Sequence, residues 1–231
     1  MSWSQLLRWS TIVAIVDVAL INVFSGEVIP PLLGFGVIWI GALVWLGRAT
    51  KGPAILLLVS FVASTVMSAP FTIPSLTVPA SAGDFILNVA GLLAAVTGIV
   101  SAVALVRGRT DPAPAARSLA TGAGVVFVVA AAYSVFAFVT YDDAAPREGD
   151  VELVAKGIEF EQTTLEASGG EISVFVDNQD QTLHTFTIED VVDLDVPGGK
   201  SARVTFEADP GEYEFFCEPH KDDMKGTLTV D

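Results

Sequence analysis

Both histidines and the one cysteine of the chain lie towards its C-terminal end, in two short stretches. One is Phe215-Phe216-Cys217-Glu218-Pro219-His220-Lys221-Asp222-Asp223-Met224-Lys225-Gly226. The other is Gln181-Thr182-Leu183-His184-Thr185-Phe186. Two imidazoles, a thiolate and a thioether make a soft donor set. Such a set suits copper cycling between Cu(I) and Cu(II), with two His and a Cys in a trigonal plane and a weak axial Met. Taken singly, each residue has a plainer reading: a lone Cys beside a strand is usually an inert core residue, and a lone His is usually a surface or satisfied core group. Their joint occurrence with Met224 is far less ordinary. Zinc is the main rival, but it commonly takes more thiolate or His ligands than are offered here. A backbone oxygen or a Gln can also serve the axial position. Thr185, next to His184, is a candidate for fixing the surroundings of the site.

These residues need a frame to bring them together. The pattern Glu171-Ile172-Ser173-Val174-Phe175-Val176-Asp177 alternates, with Ile172, Val174 and Val176 on one face. Arg203 to Glu207 and Thr227 to Val230 alternate as well. Turn signals separate the runs at Ser168-Gly169-Gly170, Asp177-Asn178-Gln179-Asp180, Pro197-Gly198-Gly199 and Asp209-Pro210-Gly211. Short strands so divided predict an all-β sandwich over residues 151–231. Cys217 is expected to end a strand, the turn at Pro219 to swing His220 back, and Met224 to follow as the last strand begins. His184 is expected from a separate loop.

Charge divides the chain. Residues 1–141 hold six bases and four acids, a net +2; residues 142–231 hold six bases and 23 acids, a net −17. The polar stretch from 142 to 150, with a Pro and a Gly among charges, predicts a linker. The first part predicts a helical membrane domain, since about 20 apolar residues make a spanning helix. Five stretches qualify, near Trp9–Phe24, Val28–Gly47, Pro53–Phe71, Phe85–Val106 and Leu119–Tyr141. The first is the shortest and contains Asp17. A signal-peptide cleavage near Val23-Phe24-Ser25 is its weaker alternative reading, set against the single n-region base and Asp17 within the apolar run.

Lys and Arg are retained on the cytoplasmic side. With the N-terminus cytoplasmic, Arg8, Arg48, Lys51, Arg107, Arg109 and Arg117 all fall inside. The Glu27 and Asp84 loops then fall outside, and so do residues 142–231. Within the spans Asp17, Asn22 and Asn88 are the polar candidates, and packing or protonation is the preferred reading of Asp17. Gly91, Ala95, Gly98 and Ala102 form a small-residue stripe that lets helices approach.

Composition excludes whole classes. With 52% hydrophobic residues and a mean hydropathy of +0.58, the chain is neither disordered nor an ordinary soluble protein. A net charge of −15 argues against nucleic-acid binding. One cysteine permits no intramolecular disulfide. The helical part has no His or Cys, so it offers no bis-histidine haem site.

The C-terminal part resembles the cupredoxins, the small blue copper proteins such as plastocyanin, azurin and halocyanin. The matching pieces are Val176-Asp177-Asn178 leading to His184, the Pro197-Gly198-Gly199 turn, Pro210-Gly211-Glu212-Tyr213-Glu214-Phe215-Phe216-Cys217, and Met224-Lys225-Gly226-Thr227-Leu228. The Cys-x-x-His step looks like plastocyanin and the His-x-x-x-Met step like azurin. Phe216 stands where plastocyanins have a Tyr, so a tyrosine-mediated electron route does not carry over.

The resemblance implies a Greek-key sandwich and one type 1 copper per chain on His184, Cys217, His220 and Met224. It also implies single-electron transfer between redox partner proteins. The expected whole is a multi-domain membrane protein: a transmembrane bundle of about five helices (1–141), a linker (142–150) and a cupredoxin-like domain (151–231), in contact with membrane lipid. Capture, storage or delivery of copper at the cell surface is the second reading. An enzyme working alone is disfavoured, because a single type 1 site consumes every His and Cys.

Overall fold

The computed structural model describes residues 1–26, 28–109 and 112–231. Glu27, placed above in an outer loop, therefore lies outside the described residues. The chain divides into two compact units: Met1–Leu76 with Phe85–Tyr133, and Thr77–Asp84 with Ser134–Asp231.

Among the described residues five helices form: α1 (Trp3–Phe24), α2 (Pro30–Leu46), α3 (Lys51–Thr77), α4 (Ala82–Val106) and α5 (Pro114–Val139). All but α2 are long and apolar enough to cross a membrane. The short one is α2, at 17 residues, and not α1. A reciprocal cap between Ser2 and Gln5 starts α1 six residues before its apolar run. α2 starts only at Pro30, because a proline without an N–H suits a first helical turn. Nor does α3 stop before Pro74 as expected; it runs through Pro70 and Pro74 to Thr77. Each proline lacks the N–H that would bond the carbonyl four residues back, so the helix runs on without those two bonds.

The small-residue stripe of α4 is used for packing. A Cβ on Gly98 would stand 2.6 Å from the Phe61 ring, and one on Gly91 would stand 2.6 Å from Asp17 Oδ2. The polar residues of the spans are mostly bonded locally. Asn22 donates to Val18 O and accepts from Ile29 N–H, and Thr72 donates to Asn88 Oδ1. Asp17 is buried, and its Oδ1 finds no hydrogen-bond partner among the described residues.

The second unit is a β-sandwich of eight strands: β1 (Val151–Ala155), β2 (Thr164–Ala167), β3 (Gly170–Asn178), β4 (His184–Ile188), β5 (Val192–Val196), β6 (Ser201–Ala208), β7 (Gly211–Phe216) and β8 (Lys225–Val230). One sheet runs β1-β3-β6 and the other β2-β8-β7-β4-β5. β1 joins β3 and β2 joins β8 in parallel; the other pairs are antiparallel.

Ile172, Val174 and Val176 face the core as their alternation requires. They meet Phe186, Phe215 and Leu228 there, and burying each such aromatic contributes about 2–3 kcal/mol. β4 shows no alternation, since all five of its residues are buried. That leaves His184, its first residue, inside the protein; it begins a strand rather than sitting in a loop.

Candidate metal centre

β7 ends at Phe216, and the next residue, Cys217, caps a single 3-10 turn, Glu218–His220. Pro219 suits this first turn because it has no N–H to leave unpaired. The return is closed by backbone bonds. His220 N–H donates to Cys217 O (3.0 Å), Met224 N–H to His220 O (2.8 Å), and Cys217 N–H to Met224 O (2.9 Å). Cys217, His220 and Met224 are thereby held in one closed loop between β7 and β8. Cys217 and Met224 are fully buried, and His220 is half-buried.

β4 runs beside β7, pairing Thr187 with Phe216, and this brings His184 to the same place. His184 Nδ1 and His220 Nδ1 each stand 3.6 Å from Cys217 Sγ. The three donor atoms lie within 4.8 Å of one another. Two donors about 2.0 and 2.3 Å from one ion, at a trigonal angle of about 120°, would stand roughly 3.7 Å apart. The observed separations fit that requirement.

The remaining valences are also assigned. His184 Nε2 is 2.9 Å from Asp180 Oδ2, which leaves Nδ1 turned to the sulfur. Asp180 accepts from Gly157 N–H (2.7 Å) and Ile158 N–H (3.0 Å) as well, so its carboxylate is anchored at a turn. Asn178, buried, donates to Thr182 O and Val196 O and accepts from Asp180 N–H. It staples the chain that delivers His184. Thr185 N–H donates to Cys217 Sγ (3.3 Å), and Thr185 Oγ1 accepts from Glu218 N–H (2.8 Å).

These contacts set the electrostatics. Burial alone would lower the His184 pKa, but the hydrogen bonds to Asp180 and Cys217 outweigh it and raise it to about 9. Burial alone would raise the Cys217 thiol, yet the bonds to His184 and His220 bring it down to about 6. The bond to His184 holds the Asp180 carboxyl well below its ordinary range. The pocket thus favours a thiolate, the form in which sulfur binds metal.

Residues 127–230 match the family model for a cupredoxin-like domain. The C-terminal region is a cupredoxin-like domain. Solved structures similar to the chain include a reduced amicyanin variant, at 18% identity and a TM-score of 0.32, covering 37% of this chain and 86% of that one. Amicyanin from Paracoccus versutus is similar at 15% identity and a TM-score of 0.32, covering 38% and 85%. The copper-containing nitrite reductase of Thermus scotoductus is similar at 25% identity and a TM-score of 0.30, covering 40% of this chain and 24% of that one. No curated protein matches the sequence.

A cupredoxin-like domain with this His, Cys, His cluster and a buried Met suits one type 1 copper ion. Asp180 and Asn178 escaped the sequence reading. Their signals are a turn-forming Asp-Asn-Gln-Asp run just ahead of a histidine and, for Asn178, its place in the first matching piece of the resemblance, neither of which gives the side chains a role.

Proposed function

We propose that the protein is a membrane-tethered blue copper electron carrier. It would pass single electrons between redox partner proteins at the outer face of the membrane. His184, Cys217, His220 and Met224 are the residues that would hold the copper ion. Bound copper would supply a one-electron couple. The protein's own part is to hold its donors still. Asp180 fixes the His184 ring, the Thr185 N–H bonds the thiolate, and three backbone bonds close the loop carrying the other ligands. A site fixed before the ion changes charge needs little rearrangement. The observation that carries this reading is the convergence of two Nδ1 atoms on one buried Sγ at 3.6 Å each.

His220 is the exit for the electron, being half-buried while His184 is fully buried. The carrier is no enzyme on its own, because one such centre uses every His and Cys of the chain. The outer location follows from the Lys and Arg pattern over five crossings. This topology requires α2 to span, and its 17 residues are at the lower limit of roughly 17–25.

The test is a visible spectrum of the full chain in detergent, loaded with Cu(II), beside Cys217→Ser. An intense thiolate-to-copper band, bleached by a mild reductant, restored by oxidant and absent from the variant, is the expected result. A colourless protein that takes up only Cu(I) or zinc would overturn the electron-carrier reading in favour of copper handling or a structural metal.

A further inference from the structure

The segment Thr77–Asp84 belongs to the same compact unit as the sandwich, although it is remote in sequence from every ligand. Its side chains grip two loops, the one that leads into β4 and the one between β5 and β6. The Asp84 carboxylate accepts the backbone N–H of Leu183, the residue immediately before His184. Ser81, fully buried, donates to the same carboxylate oxygen (3.3 Å) and accepts from Gly198 N–H (3.2 Å).

The fit around these bonds is close. A Cβ on Gly83 would stand 3.3 Å from Gln181 O, and one on Gly198 only 2.2 Å from the same atom. Leu183 itself is buried. The peptide leading into His184 is therefore held from two directions. Asn178 takes the Thr182 carbonyl, and Asp84 takes the Leu183 amide.

We infer that Asp84 is a positioning residue of the metal centre: it fixes the loop that presents His184 and sets the reduction potential of the bound copper through its charge. The inference rests on the copper reading given above. The reason is physical. A carboxylate accepting an amide N–H makes a charge-assisted bond, worth more than a neutral one. A negative charge near the ion favours Cu(II) over Cu(I), so removing it raises the potential.

The experiment uses the full chain in detergent, with Asp84→Asn and Asp84→Ala. Asparagine keeps an acceptor oxygen and loses the charge; alanine loses both. In the copper-loaded protein, redox titration of the charge-transfer band should give a higher potential for both variants. In the metal-free protein, hydrogen exchange at the Leu183 amide should rise about tenfold or more for Asp84→Ala and much less for Asp84→Asn. Should Asp84→Ala fail to fold, the potential of Asp84→Asn decides. Unchanged potentials together with unchanged Leu183 protection would overturn the inference while leaving the blue copper centre standing. A wild-type protein with no blue band would instead overturn the copper reading, and the metal-free exchange measurement would still decide whether Asp84 holds the loop.

Discussion

The helical unit and the sandwich spend their polar side chains in different ways. In the helices, Thr11, Ser64, Thr65 and Ser101 return their hydroxyls to a carbonyl three or four residues earlier. Each such bond closes within one helix and gathers nothing from elsewhere. Ser10 with Thr97 and Trp39 with Ser60 are bonds between helices, each a single pair. In the sandwich, Asn178, Asp180 and Thr185 reach across loops and are linked in turn to one another or to a candidate ligand. The difference lies in what solvent leaves undone. A helix in lipid must satisfy its polar groups internally. A buried loop in a sandwich has backbone groups that side chains from other segments can satisfy where water does not reach. Convergence of that kind can hold a metal site in place.

This contrast can be broken by substitution. Asn178→Ala removes three hydrogen bonds and leaves two carbonyls short of a donor, those of Thr182 and of buried Val196. It should destabilise the sandwich by about 3 kcal/mol, read by denaturant unfolding followed at the sandwich. A loss under about 1 kcal/mol would show that the network is not cooperative. Asp180→Asn keeps the shape but weakens the hold on His184 Nε2. Copper affinity should fall roughly 10–100-fold in competition with a chelator, with helical content unchanged.

Acid should reveal a smaller effect at the Asp150–Arg203 pair. Hydrogen bonding to Arg203 lowers the Asp150 pKa. The folded value lies below the unfolded one, so the pair stabilises at neutral pH and its contribution fades as pH falls through the folded value. Wild type and Arg203→Gln should therefore differ in stability at pH 7 and converge below about pH 4. The smallest effect belongs to the helices. Thr97→Ala removes one bond between helices (2.8 Å to Ser10) and should cost only about 0.6 kcal/mol in detergent unfolding. A loss as large as that for Asn178→Ala would erase the distinction between the two regions.

How far the sequence could be read follows the same division. The donors Cys217 and His220, with Met224 beside them, were legible because one short loop contains them in order. His184 was legible because the chain has only one other histidine. Alternation revealed β3 and β8, each of which buries one face more than the other. It could not reveal β4, which is buried throughout and so has no period to detect. The parallel partners β1 and β2 were equally hidden, since their neighbours are set by distant pairing rather than local pattern. The helices were legible as apolar runs, but not their ends. Ser2 extends α1 by capping, and α3 passes two prolines that ordinarily stop a helix. Asp180 and Asp84 look like two more acids in a chain that has 27. Only their placement distinguishes them.

The three backbone bonds that close the loop from Cys217 to Met224 have a further consequence, for inheritance. They fix the number of residues between β7 and β8 while leaving the side chains of Asp222 and Asp223 exposed and free to vary. Drift can repaint the outside of this loop at little cost. An insertion or deletion, by contrast, would unfasten the Cys217–Met224 bond and displace three donors at once. Where this spacing of donors is kept, the stretch should therefore pass between lineages whole, constant in length and changeable in colour.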